Sequence, residues 1–457
     1  MPSLPSPLPP SLWSDGARRV GAVIAVIAVA GLGFAAGYLA FDDGGGDAPA
    51  PAAVELPPAT EPGPPVAGFP EQATRNTTRV GGADAIEVAA SVALATYPTQ
   101  GGVGGTSAVV LAPADDWQQA LAATPLVADP VGTPVLLSTP DGVPPATGDA
   151  LTALALPGLE EADGTQAFVV GGVAALEEMK TTPIEGTDPA DIADAVDLER
   201  AELTGEKHPA HILVVSSTAP GLAMPAAAWA ARSGDPIVFA DGEEVPAGTK
   251  RVLKRHPDTP VFVLGPESAI SDAALKKLNG ATRVGAEDPV DNAIAFARFT
   301  SGGFGWNIND PGHGFAIANI DRPLDAVAAA PLASTGGSPG PLLLTDDAAT
   351  VPPALQSFLS DIQPGFEDDP TRAVFNHTWI IGDAAAISVP FQAQVDQLTK
   401  LAPVSTATTP PDTAAPPPAE GTATLPDLGD LGGGAAPTTT TPETTTTTTT
   451  GSGGQGG

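Results

Sequence analysis

Four carboxylates and three arginines stand where they could act on a ligand. Asp115 and Asp116 follow the apolar run at 108–113, and Asp321 and Asp325 follow the run at 314–320. In open α/β sheets ligands bind beyond the carboxyl ends of the strands, so a loop after a core strand is well placed for chemistry. Carboxylates there would contact the hydroxyls of a polymer, directly or through Ca²⁺ or another divalent cation. The competing reading is simple capping of the following helix by an acidic side chain. Arg322 lies beside Asp321. Arg79 and Arg283 occupy matching places in TTRV and ATRV, and there could grip a phosphate or carboxylate with two N–H donors, or pair with the nearby Asp.

Other chemistries find little support. Gly81-Gly82 and Gly171-Gly172 belong neither to GxGxxG nor to GxxxxGK[ST]. The five histidines, His208, His211, His256, His313 and His377, show no HExxH spacing, with His208 and His211 the one weak pair. No GxSxG elbow or nucleophile–base set is present, so no catalytic residue is assigned. Trp306, in SGGFGWNINDPGHG, reads as the one exposed aromatic able to stack a sugar, with packing as the alternative.

The elements that must position these residues recur. GFAIANIDRPLDAVAAAPLASTGGSPGPLLLTD (314–346) reads as strand, polar loop, small-residue helix, turn and strand. AVVLAPADDWQQALAATPLVADPVGTPVLLS (108–138) repeats it without a gap, Asp115 falling on Asp321, and ILVVSSTAPGLAMPAAAWAARSGDPIVFA (212–240) is a third copy. Each copy is preceded by an extended piece, a Gly/Asp turn and an Ala-rich helix that Asp84, Asp188 or Asp288 could N-cap. Each is followed by a further apolar strand, AFVVGG, VFVLGP or WIIGD. Short apolar strands alternating with helices predict right-handed βαβ crossovers and an α/β fold with parallel sheets. The period of roughly one hundred residues suits three packed subdomains better than a thin solenoid. The repeats are expected at 75–180, 181–280 and 281–401.

The ends differ from this centre. Residues 1–19 are Pro-rich, and 20–41, VGAVIAVIAVAGLGFAAGYLAF, carry no charge. As a helix rising about 1.5 Å per residue, that run spans roughly the 30 Å of a bilayer's hydrocarbon core. Arg18 and Arg19 before it, and Asp42, Asp43 and Asp47 after it, predict a cytoplasmic N-terminus and an extracytoplasmic bulk. The competing reading is a cleaved signal peptide. A Pro/Ala/Gly linker (42–74) follows, and 402–457 form a Thr/Pro/Gly tail without Lys or Arg, expected to be disordered. A net charge of −34 repels nucleic acid, and the absence of Cys excludes disulfides and thiolate ligands.

Taken together, TTRVGGAD…VVLAPADDWQQALAATPL…GTPVLLS…AFVVGG and ATRVGAED…IDRPLDAVAAAPL…GPLLLTDDAATVPPAL…WIIGDAAAIS resemble the type-2 cell-wall-binding repeat of Gram-positive surface proteins. The resemblance covers roughly residues 75–400. It implies three Rossmann-like or Toprim-like subdomains in a pseudo-threefold arrangement, and noncovalent attachment to anionic wall polymer or glycan. It also implies a ligand region that includes the Pro-Leu-Leu-type strand starts. Here those are Pro134, Val135, Leu136 and Leu137, then Pro236, Ile237, Val238 and Phe239, then Pro341, Leu342, Leu343 and Leu344. The middle copy departs most, with Thr218-Ala219-Pro220-Gly221 in place of Ala114-Asp115-Asp116-Trp117. The expected protein is a membrane-anchored wall binder without a resident cofactor. A divalent-cation-dependent enzyme of envelope polymer metabolism and a surface scaffold or adhesin are the alternatives.

Overall fold

The strands form because short runs of Val, Ile, Leu, Phe and Ala can be covered on both faces. A computed structural model of the chain describes residues 72–97, 105–334 and 339–404. In it β3 (Val109–Pro113), β7 (Ile212–Ser216) and β11 (Gly314–Asn319) are buried at every position. Each is flanked in parallel by the strand that follows it, β4 (Val135–Ser138), β8 (Ile237–Ala240) or β12 (Leu342–Thr345). On its other side lies β5 (Ala167–Val170), β9 (Val261–Leu264) or β14 (His377–Ile381). The chain thus steps to one side of the central strand and crosses back to the other, three times over.

The fourth strand of each sheet is where sequence period and spatial unit part. β6 (Thr181–Ile184) opens the second repeat in sequence yet pairs with β5 of the first sheet. β10 (Thr282–Val284) opens the third and pairs with β9. β2 (Thr77–Val80), which opens the first, pairs with β14 at the far end of the chain, Thr378 opposite Thr77 and Ile381 opposite Val80. A two-residue antiparallel strand, β1 (Gln72–Ala73), edges that sheet. The observed orders are β4-β3-β5-β6, β8-β7-β9-β10 and β12-β11-β14-β2-β1. Each repeat therefore lends its first strand to the repeat before it, and the last sheet is completed by the first repeat.

The helices repeat the exchange. Ala85–Thr96 packs on Pro323–Ala329 of the third copy, Pro189–Thr204 on Trp117–Ala122 of the first, and Pro289–Arg298 on Pro220–Ala223 of the second. All three long helices start on the expected Asp: Asp84 accepts from the amides of Ile86 and Glu87, Asp188 from Asp191, and Asp288 from Val290 and Asp291. An exposed side-chain cap of this kind contributes about 1 kcal/mol. Alanine at Ala89, Ala90 and Ala93 lets helices approach closely; a large apolar core runs from Val80 to Val395 through all three sheets, and a second cluster gathers Ala90 and Ala93 with Val109, Leu111 and Leu154. Order extends past residue 401, since β15 (Ala402–Pro403) pairs with β13 (Gly365–Phe366). The expected anchor at 20–41 and nearly all of the tail lie outside the described residues. Among the described residues no helix is long and apolar enough to cross a membrane.

Candidate functional site

Each central strand ends in a loop that starts a short helix, and the residue three past that helix's N-cap faces the glycine ending the neighbouring strand in all three sheets. The helix N-caps are Asp116, Ala219 and Arg322. Three residues later come Gln119, Leu222 and Asp325, each lying under the glycine that ends the neighbouring strand. A Cβ on Gly171 would strike Gln119, one on Gly265 would touch Leu222 at 3.7 Å, and one on Gly382 would lie 3.3 Å from Asp325 Oδ2. These glycines have φ of 66°, 120° and 94°, a region that costs other residues strain. The structure also corrects the alignment of the middle copy by one residue, placing Ala219 rather than Pro220 with the N-cap Asp116.

The socket is filled differently each time. In the first sheet Asp116 accepts from the amides of Gln118 and Gln119 and from Gln119 Nε2 at 2.7 Å, so this acid is a cap. In the second, Leu222 and Ala219 leave nothing polar. In the third, Asp325 has no solvent exposure, and Arg322 Nε stands 2.7 Å from its Oδ2 while Nη2 donates to Oδ1 at 3.3 Å. That Nε–H points off the line to Oδ2, which receives charge attraction but no formed hydrogen bond. Burial pushes the Asp325 carboxyl up to about 6, Arg322 opposes the rise, and Asp383 and Asp84 add to it. Arg322 Nη1 reaches across to Ala83 O at 3.3 Å and to Asp383 Oδ1 at 3.6 Å. The guanidinium thereby links the helix after β11, the turn after β14 and the loop after β2.

Other expected ligand residues lie elsewhere. Asp115 and Asp321 are exposed at the loop tips, and Asp321 does not cap its helix, whose N-cap is Arg322. Arg79 is 1% exposed, donating to the carbonyls of Gly382 and Asp383 at 2.8 Å each and to Gln392 Oε1 at 3.1 Å. Arg283 does the equivalent work in the second sheet, holding Gly265 O at 3.0 Å and Ile270 O at 2.7 Å, with Asp272 as its ion-pair partner. Both arginines are committed to fixing the turn beyond a strand, so neither presents an open fork to an anion. Pro134 and Pro341 are buried, and so are Leu136, Leu137, Leu342, Leu343 and Leu344, at 0–1% exposure for the leucines. They sit inside β4 and β12 or just before them. Pulling one leucine out to meet a ligand would forfeit about 2 kcal/mol.

Trp306 is buried, edge-on to Trp229 with ring centres 5.6 Å apart and under the Arg232 guanidinium, so it is a packing residue. His208 and His211 do not meet: His208 contacts His256, whereas His211 pairs with Asp235 at 3.1 Å. Among the described residues no group of three or more His, Asp or Glu is close enough to hold a metal ion. Sequence reading missed Asp383, Gly382 and Asn319. Asp383 was visible as the polar ending of WIIGD, where the sister strands end in Gly-Gly and Gly-Pro. Asn319 orders the loop, accepting from the Asp321 amide and donating to Ala386 O, each at 3.0 Å.

No protein-family profile matches the chain, and no curated protein does. Solved structures do. Cwp6 from Clostridium difficile matches with a TM-score of 0.55 at 18% identity, over 71% of this chain and 48% of Cwp6. Cwp8 from Clostridium difficile matches with a TM-score of 0.54 at 17% identity, over 71% of this chain and 52% of Cwp8. The chain spans about half the length of each. At such identities the likeness is one of fold: the α/β body with its parallel sheets is shared with these two proteins.

Proposed function

We propose that this chain is a cell-wall-associated binding protein whose three α/β repeats, in pseudo-threefold arrangement, hold a wall polymer noncovalently. The carrying observation is the crevice beyond β11, β14 and β2, where Arg322 is anchored by a buried carboxylate and still keeps about a fifth of its side chain exposed. A guanidinium fixed in this way offers its outer edge to a phosphate, a carboxylate or sugar hydroxyls without losing freedom on binding. Asp321 and Asp383 border it and supply acceptors for hydroxyls. The fold likeness to Cwp6 and Cwp8, which are cell wall proteins, supports the same reading. In this proposal the 20–41 helix tethers the body outside the membrane, and the acidic surface makes binding dependent on salt or on bridging cations.

Sedimentation of the full-length protein with purified Gram-positive walls tests it, in low and high salt and with Ca²⁺. Retention is expected, and Arg322→Ala should weaken it roughly tenfold, a change of about 1.4 kcal/mol. Failure to sediment with walls under all these conditions would refute wall binding. Protease added to intact cells should remove the 72–404 body while leaving the N-terminal segment, and protection of the body would refute the topology.

A further inference from the structure

The crevice that Arg322 bridges in the third sheet has a counterpart in the first. Gly171-Gly172 after β5 correspond to Gly382-Asp383, and Glu185-Gly186 after β6 correspond to Gly81-Gly82 after β2. At the position of Arg322 the first repeat has Asp116, which turns back to cap its own helix and to accept from Gln119. No side chain spans the gap, and a groove of about 580 Å³ lies open there. Ligand sites of small molecules occupy roughly 300–1,000 Å³. The far wall of the groove is the Pro189–Thr204 helix, with Asp191, Asp194, Ala195 and Leu198 facing in, and Arg251 beside them.

We propose that this groove binds a neutral, hydroxyl-rich glycan segment. Its charges are paired with one another: Arg251 places Nη2 2.7 Å from Asp191 Oδ1 and Nε 2.5 Å from Asp194 Oδ2, and Arg255 also pairs with Asp194. A phosphate approaching Arg251 would meet two carboxylates already on it. A metal ion would have to displace the guanidinium. What the wall offers is the half-exposed edge of Arg251 that its two pairs leave over, set among the Asp191 and Asp194 carboxylates, with the exposed Glu185 carboxylate at the solvent edge, a mix of donor and acceptors that suits neighbouring sugar hydroxyls. Leu198, 51% exposed in an otherwise polar setting, gives an apolar surface for the C–H face of a sugar ring. Gly172 has φ 71° with nothing within 4 Å of where a Cβ would stand, so the floor is bare backbone. The inference extends the wall-binding reading by naming a ligand class, at a crevice other than the one Arg322 closes.

Saturation-transfer NMR and calorimetry on the full-length protein test it, with chitotriose and maltotriose as neutral probes and poly(glycerol phosphate) as the anionic one. Binding of a neutral trisaccharide is expected, with a loss of roughly tenfold on Ala195→Trp, which fills the groove. Glu185→Ala and Leu198→Ser, at solvent-facing positions that leave the core untouched, should each cost several-fold. Val389→Ser, an exposed apolar site away from the groove, should change nothing. Absence of neutral-sugar binding overturns the inference. So does binding that ignores the groove variants, or a groove that takes only the anionic polymer. Walls that retain the protein while neutral trisaccharides do not bind would refute the groove and leave the wall reading standing; the reverse result would do the opposite.

Discussion

Arg322 and Asp325, three residues apart at the start of one helix, form an ion pair in which only the cation touches water. The Asp325 carboxylate has no exposure, and Nε of Arg322 is 2.7 Å from it. Removing the cation therefore leaves an uncompensated buried charge, which is far more costly than removing the whole pair. Arg322→Met should lower unfolding stability at pH 7.5 by about 3 kcal/mol. Adding Asp325→Asn should recover most of that loss. Urea denaturation of the two single variants and the double variant measures it, and equal losses in the single and double variants would show that the pair is not coupled.

The raised pKa of Asp325 has a definite sign. The folded chain holds the proton to about pH 6 while the unfolded chain releases it near the ordinary value, so the folded state binds protons more tightly. Protonation therefore stabilises. The penalty from ionised Asp325 is present above pH 6 and fades as pH falls through 6 toward the usual carboxylate range, by about 2–3 kcal/mol at most. Melting temperature followed from pH 7.5 to pH 5 should rise more steeply, or fall less, in the native protein than in Asp325→Asn. Parallel curves would contradict the assignment.

Gly248, in the Ala247–Arg255 helix, lies where that helix crosses Pro189–Thr204. A Cβ at 248 would overlap the backbone carbonyl of Ala190, which has no side-chain freedom to yield. Gly248→Ala should destabilise by about 2 kcal/mol or more, although alanine favours helices by up to about 1 kcal/mol over glycine. Thermal unfolding decides between the two effects, and a stabilised variant would mean that the helices separate freely.

Arg200 joins the first two repeats. From the Pro189–Thr204 helix its guanidinium donates to Pro125 O at 3.0 Å, Ala128 O at 3.2 Å and Asp129 O at 2.9 Å. Burial lowers its pKa, and it is 9% exposed. Arg200→Met would fill the space but take the guanidinium from Asp129 O and leave Pro125 O and Ala128 O with only the amides of Ala128 and Gly132, with an expected loss of about 2–4 kcal/mol. Amide exchange should speed up in 124–128 well before it does in β14. A uniform change across the chain would argue against a local joint.

By itself the sequence determined the threefold period, the α/β class, and the three Asp-capped helices. These depend on local signals: apolar runs, Gly turns, and a side chain that reaches an amide two or three residues away. Asp84, Asp188 and Asp288 could be placed because capping needs no distant partner. Only the tertiary structure decided that β2, β6 and β10 belong to the sheet of the preceding repeat, since TTRV pairs equally well with any parallel neighbour in backbone terms. It also decided the fate of the chemistry. Leu343 reads the same whether a strand start faces a ligand or lies between two layers of helices, and its 0% exposure settles that it is core. Asp325 and Gln119 occupy the same position in the third and first repeats, yet burial beneath Gly382, with Asp383 and Asp84 close by, raises the carboxyl in the third sheet. Beneath Gly171 the corresponding amide lies beside an open groove. That difference arises from neighbours distant in the chain, Gly171, Gly382, Asp383 and Asp84, which no local pattern encodes.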